Sequence, residues 1–192
     1  MELLDIGSAV RELLNGIPTI IKGLRNSYES ILQIKDKAAA RRDIARLQRV
    51  SEAFGKLMFE PGGLRDRLHE YLVAPKSRLA KANLKSALNQ SQLLYQECLQ
   101  TLDLSVAFKA RHPELMTQLT EYHKQKGRLI SGIGDRIKWP LEEHLTELED
   151  LEPLFEKVNR GINEVRTEIK GVLLEFDRQE GSAKKKRAAK AH

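Results

Sequence analysis

The chain has one cysteine, Cys98, and one tryptophan, Trp139, in 192 residues. A single thiol excludes an internal disulfide and suits a reducing, cytoplasmic setting. The histidines, His69, His112, His123, His144 and His192, are not spaced for chelation. "HEYLV" begins like the zinc motif H-E-x-x-H but has Val73 where the second ligand belongs. "GIGDRI" supplies Gly132 and Gly134 without the third glycine of a dinucleotide loop, and no strand precedes it. No nucleophile turn is marked. These absences point to a non-enzyme with no metal, no cofactor and no small-molecule substrate. Long apolar runs are also missing. Leu13 to Ile21, the longest uncharged stretch near the N-terminus, is nine residues, too short to cross a bilayer or to act as a signal sequence. With aromatics at only 5%, there is no stacking platform for single-stranded nucleic acid.

An apolar content of 41% with 31% charge describes a globular chain long enough to bury a core as one domain. Apolar residues recur at helical spacing. Ile17, Ile21, Leu24, Tyr28 and Ile31 make one stripe, which Leu47, Val50, Phe54 and Leu57 resume. Leu84, Leu88, Ser91, Tyr95, Cys98 and Leu102 make a second and place Cys98 on a buried face. A third, Leu115, Leu119, Tyr122, Leu129 and Ile133, is loosened by Gly132 and Gly134. Strand-like alternation is absent, so the fold class is all-α: an elongated bundle of about five or six helices. The bundle should span 1–178, with a disordered, flexible basic tail over 179–192.

The last stripe is the longest. Leu141, Leu145, Leu148, Leu151, Phe155, Val158 and Ile162 continue through Val165, Ile169, Val172 and Phe176 at intervals of three or four. Such a stripe is buried within one chain or against a second copy. Pro153 should kink this helix without ending it. Trp139 and Pro140 form the structural corner before it, because proline pushes its predecessor out of the α conformation and suits a first helical turn. Glu142 and Glu143 then fall where the helix dipole favours carboxylates by roughly 0.3–1 kcal/mol each.

Charge is segregated. Lys184, Lys185, Lys186, Arg187 and Lys190 account for five of the net +6, so the body carries only +1. Within the body, Lys35, Lys37, Arg41, Arg42, Arg46 and Arg49 form a basic run, while residues 142–156 hold seven acids and no lysine or arginine. The two runs are expected to be solvated helix faces that pair across the bundle. The tail suits three uses: an anionic surface, where each basic residue contributes on the order of 1 kcal/mol, phosphates of a nucleic acid, or simple solubility.

"RIKWPLEEHLTELEDLEPLFEKVNRGI", preceded by "FEPGGLRDRLHEYL" and by an amphipathic N-terminal segment, resembles the HeLo-like domains at the N-termini of fungal NACHT and ankyrin receptors. The resemblance covers most of residues 1–178, and its sharp part is the Trp139-Pro140 corner with the stripe after it. It implies a helical bundle whose first helix can be released into a membrane to cause cell death, as in the related four-helix domain of the mixed-lineage kinase-like pseudokinase. On that reading Leu3, Leu4, Ile6, Val10, Leu13, Leu14 and Ile17 are the membrane-inserting residues, on a helix whose other side carries Glu2, Asp5, Arg11 and Glu12. Asn15, Gly16 and Pro18 are the hinge. The tail cations are the anionic-surface contacts.

The expected partners are therefore anionic membrane lipids and a protein partner or a second copy, with a cytoplasmic protein recruited to a membrane in a defence pathway. The alternative is a helical adaptor whose basic tail binds nucleic acid or an acidic protein.

Overall fold

A computed structural model describes residues 5–58, 63–101, 106–138 and 145–190, with side chains throughout except at 99, 101, 145 and 183–190. The described residues form eight helical segments and no strand: α1 (Ile6–Leu32), α2 (Lys37–Lys56), α3 (Leu64–Val73), α4 (Arg78–Thr101), α5 (Val106–Arg111), α6 (Pro113–Arg136), α7 (Leu145–Glu149) and α8 (Leu151–Lys190). Local chemistry sets several starts. The side chain of Asp5 accepts from the Ser8 amide at 3.0 Å and that of Asp36 from the Ala38 amide at 2.9 Å, so each satisfies an orphan donor of a first turn. Pro113 occupies the first turn of α6, where its missing N–H costs nothing.

Three long helices share the core. α1 runs antiparallel to α6, with Ile6 against Gly132, Gly16 against Tyr122 and Gly23 against Leu115. It runs parallel to α8, with Ile17 on Gly161 and Arg25 paired to Glu168 at 2.7 Å. α2 lies antiparallel along the later part of α8, fixed by Gly55 beside Arg166 and by Arg41 paired to Glu180 at 2.8 Å. α4 lies along α6, with Tyr95 over Gly127. The C-terminal ends of α2 and α4 meet partway along the bundle, where the Cys98 thiol donates to the Ala53 carbonyl at 3.2 Å. α3 packs on α4 and reaches the start of α8, through Arg65 to Glu156 and His69 to Glu152. At 1.5 Å per residue the 40 residues of α8 run for about 60 Å, so the bundle is elongated.

The long C-terminal stripe is buried from Leu148 through Phe176, each residue less than a tenth exposed. Its helix is interrupted, however. Asp150 is a turn between α7 and α8, and Pro153 falls in the first turn of α8. No kink is needed there, since first-turn amides have no intrahelical partner.

α1 also departs from expectation. Pro18 lies inside a continuous helix, so residues 15–18 are not a break. The ring of Pro18 faces solvent, the Thr19 hydroxyl donates to the Gly16 carbonyl at 2.7 Å, and Leu13, Ile17 and Ile20 are packed on either side. Burial of those three offsets the roughly 3 kcal/mol that an interior proline costs. The buried residue of this stripe is Ile20 and not Ile21, because the face drifts with the 3.6-residue turn.

The basic and acidic runs do not pair with each other among the described residues. The acids engage α3 and α6: Glu156 with Arg65, Glu152 with His69 and Glu147 with Arg136. Arg41 instead takes Glu180, about 40 Å of helix away from Glu152. Antiparallel packing of α2 on α8 thus puts the two runs toward opposite ends of the bundle. Helical backbone continues to Lys190, so the flexible tail expected from 179 is not shown. Ala183, Ala188, Ala189 and the lysines are good helix formers.

Candidate functional site

The element on which the functional expectation turns is α1. Ile6, Val10, Leu13, Ile20, Leu24 and Ile31 have no exposed surface and Ile17 almost none, while Leu14 is half-buried. Leu3 and Leu4 lie outside the described residues. Fully burying one such side chain is worth about 1.5–3 kcal/mol, so these seven contribute on the order of 10–20 kcal/mol. This is a gross apolar contribution, opposed by the conformational entropy lost when α1 is ordered. The apolar face of α1 is thus docked in the bundle.

Glycines form the seat. A Cβ on Gly132 of α6 would stand 2.3 Å from Ile6 Cγ2, and one on Gly161 of α8 would stand 2.7 Å from Ile17 Cγ1. α1 returns the arrangement with Gly23, where a Cβ would meet Gln118 Oε1 at 2.2 Å and the Leu115 backbone at 3.4 Å. Each notch lets a side chain or backbone approach closer than any other residue permits. Polar ties on the rim are exposed: Arg25 holds Glu168 through Nε at 2.7 Å and Nη2 at 3.1 Å, and Asn26 donates to Glu114 at 3.3 Å. Such surface pairs contribute little. The seat is held by shape and apolar burial.

Several ionisable groups are inside the bundle. Where α2 and α4 meet, Phe54 stacks on Tyr122 at 5.2 Å and takes the edge of His123 at 6.1 Å. His123 Nδ1–H donates to the Leu119 carbonyl at 2.9 Å, and burial lowers its pKa against that bond. Burial likewise holds Lys126 well below the ordinary lysine range, with Cys98 opposing, and pushes the Cys98 thiol up to about 11. A thiol so shifted is a protonated core residue and not a nucleophile. Nearer the other end, buried Asp43 accepts from Arg111 Nε at 2.8 Å and Nη2 at 2.5 Å, and from His112 Nε2 at 3.2 Å. That cluster joins α2 to the α5–α6 junction. Among the described residues no three histidine, cysteine or carboxylate groups converge as a metal site.

Of the residues picked out in the sequence, Ile6, Val10, Leu13, Leu14 and Ile17 are brought together on one face. Asn15, Gly16 and Pro18 fall mid-helix, with Gly16 against Tyr122. Lys184, Lys185, Lys186, Arg187 and Lys190 continue α8 in backbone only. Trp139 and Pro140 lie outside the described residues. Arg136, almost fully buried, donates from Nε to Glu147 of α7 at 2.5 Å and from Nη1 to the Gly132 carbonyl at 3.2 Å, and so ties the end of α6 to α7.

Sequence reasoning missed the notches, although Gly161 sits between Val158 and Val165 on the stripe itself. It also missed Asp43, which interrupts the Ala40, Leu47, Val50 face at a core position. No helix among the described residues is long and apolar enough to cross a membrane. No family model, curated protein or solved structure matches the chain.

Proposed function

We propose that this protein is a non-enzymatic helical interaction module of HeLo-like type, acting on anionic membranes in a cell-death or defence response, with α1 as the element that enters lipid. The observation that supports this reading best is the form of α1. It is a single amphipathic helix of 27 residues, seated by glycine notches and followed by a short connection at residues 33–36 that leads into α2.

Release then involves the whole of α1, and the pivot is the 33–36 connection instead of residues 15–18. The resting state is docked. A second copy or a protein partner shifts the balance toward release, and lipid holds the released helix by taking up its apolar face.

Dye release from vesicles containing phosphatidylserine tests this. The wild type is compared with Gly132→Val, which fills the notch under Ile6 without altering α1, and both are checked for helix content by circular dichroism. Release should be faster for the variant by about tenfold, the ratio that about 1.4 kcal/mol of weakened docking gives. Equal release from two folded proteins, or none from either, would remove the lipid-entry role of α1.

A further inference from the structure

The basic run of α2 and the basic tail are separated by more than 130 residues in sequence, and the fold brings them to one end of the bundle. α2 begins at Lys37 and runs antiparallel to α8. Both Nε and Nη2 of Arg41, in the first turns of α2, donate to one oxygen of Glu180, at 2.9 and 2.8 Å. That tie sets the last turns of α8 beside the N-terminus of α2. Past Glu180 the α8 backbone continues for ten residues, about 15 Å, and carries Lys184 to Lys190 beyond the α1–α2 connection.

Three of the acids at this end are engaged, while Glu29, Glu175 and Asp177 are exposed on α1 and α8. Asp36 caps α2 and lies 3.7 Å from Arg42, Glu180 is held by Arg41, and Asp43 is buried against Arg111 and His112. Lys35 in the connection and Lys37, Arg42, Arg46 and Arg49 on α2 remain directed to solvent or partly so.

Between α1, α2 and α8 at the same end is an open cleft of about 230 Å³. Ile31, Leu32, Ile34, Ala40 and Phe176 line it together with Lys37, Gln179 and Glu180. Leu32 is 40% exposed although it ends a helix whose other large apolar residues are buried or half-buried.

We infer that this end is a composite docking surface for an anionic lipid bilayer, in which α2 and the end of α8 supply cations for headgroups and the Leu32 cleft takes apolar insertion. It rests on the membrane reading above and supplies what that reading lacks, a surface that selects anionic lipid and sits at the pivot of α1. Cations beside a cleft that exposes Leu32 match a membrane interface, where charge and hydrocarbon are met together. A nucleic acid has phosphates but no use for the cleft, and the aromatic residue that lines it, Phe176, is buried and unavailable for stacking on bases.

Co-sedimentation with phosphatidylcholine vesicles carrying 0 or 30% phosphatidylserine tests the surface. The full chain is compared with Arg42→Glu/Arg46→Glu on α2, Lys184→Glu/Lys185→Glu on α8, and Leu32→Ser in the cleft. Arg41 is left intact because it holds α8. Binding should require phosphatidylserine and weaken with salt. Each charge-reversal pair should lower partitioning at least tenfold, since one basic residue near such a surface is worth about fivefold, and Leu32→Ser should lower it several-fold.

Three results would overturn the inference: no preference for phosphatidylserine, α2 variants that bind like the wild type, or tighter salt-sensitive binding to a DNA duplex that Leu32→Ser leaves unchanged. Dye release separates this surface from the α1 reading. Anionic binding that depends on α2 without leakage sinks lipid entry by α1 and keeps the surface, whereas leakage that ignores the α2 charges does the reverse.

Discussion

Two glycines of α8, ten residues apart, should respond to the same substitution with opposite signs. Gly161 faces α1, and an added Cβ meets Ile17 Cγ1 at 2.7 Å, Cδ1 at 3.2 Å and Cβ at 3.6 Å. Gly171 is exposed, and an added Cβ there meets nothing within 4 Å. In both positions alanine gains roughly 0.8–1 kcal/mol of helix propensity. At 171 that gain stands alone. At 161 it is set against overpacking, typically 1–3 kcal/mol when a well-packed core must accept an extra carbon. The near atom is the methylene next to the branch carbon of a buried isoleucine, which cannot swing away as the end of a long side chain would.

Gly171→Ala should therefore raise stability by about 0.5–1 kcal/mol and Gly161→Ala lower it by about 0–2 kcal/mol. For a chain of this size 1 kcal/mol moves Tm by about 2–4 °C, so the two variants should differ by several degrees in a thermal melt followed at 222 nm. In an Ile17→Ala background the clash is gone, and Gly161→Ala should become stabilising. Equal gains at both glycines in the parent protein would refute the notch, and with it the account of how α1 is seated.

Two further perturbations probe the interior. Lys126→Met conserves volume and removes an amine whose charged form burial disfavours; it should raise stability at pH 7 by about 1–3 kcal/mol. Because the folded-state pKa of Lys126 is depressed, the unfolded chain binds more protons below the ordinary lysine value. Wild-type stability from this group thus rises with pH, and the gap to Lys126→Met should narrow between pH 7 and 9.5 in urea melts; a constant gap would count against it. Asp43→Asn keeps the size but not the charge of a carboxylate that holds both Arg111 and His112. The loss should be about 1.5–3 kcal/mol, read as a lower urea midpoint, and an unchanged midpoint would mean that the cluster does not tie α2 to α6.

Helix period carried most of the fold into view from sequence, and the reason is burial. The stripe from Leu148 to Phe176 is inside at every position because only a packed helix keeps that spacing. Prolines were less legible, since their meaning depends on what surrounds them. Pro18 reads as a hinge beside Asn15 and Gly16, yet packing on both sides carries the helix through it. Pro153 reads as a kink, yet a turn at Asp150 makes it a first-turn residue.

Charge patterning showed that the basic and acidic runs exist but not which neighbours they meet. Antiparallel packing of α2 on α8 decides that, and pairing across helices leaves no local mark in sequence. The glycine seat was half visible. Gly132 shows as a loose point in α6, and only the approach of Ile6 turns that looseness into a notch.

The central claim is that α1 must leave its seat for the protein to act on a membrane. Cysteines placed at Ile6 and Gly132 test it most directly, because the Cβ at 132 falls 3.8 Å from that of Ile6, a spacing suited to a disulfide. With Cys98 replaced by alanine, dye release from phosphatidylserine vesicles is measured for the Ile6→Cys/Gly132→Cys protein oxidised and reduced. The account predicts release by the reduced form and near-complete loss in the oxidised form, restored on adding reductant. Equal release in both states, or none in the reduced state of a folded protein, would contradict it.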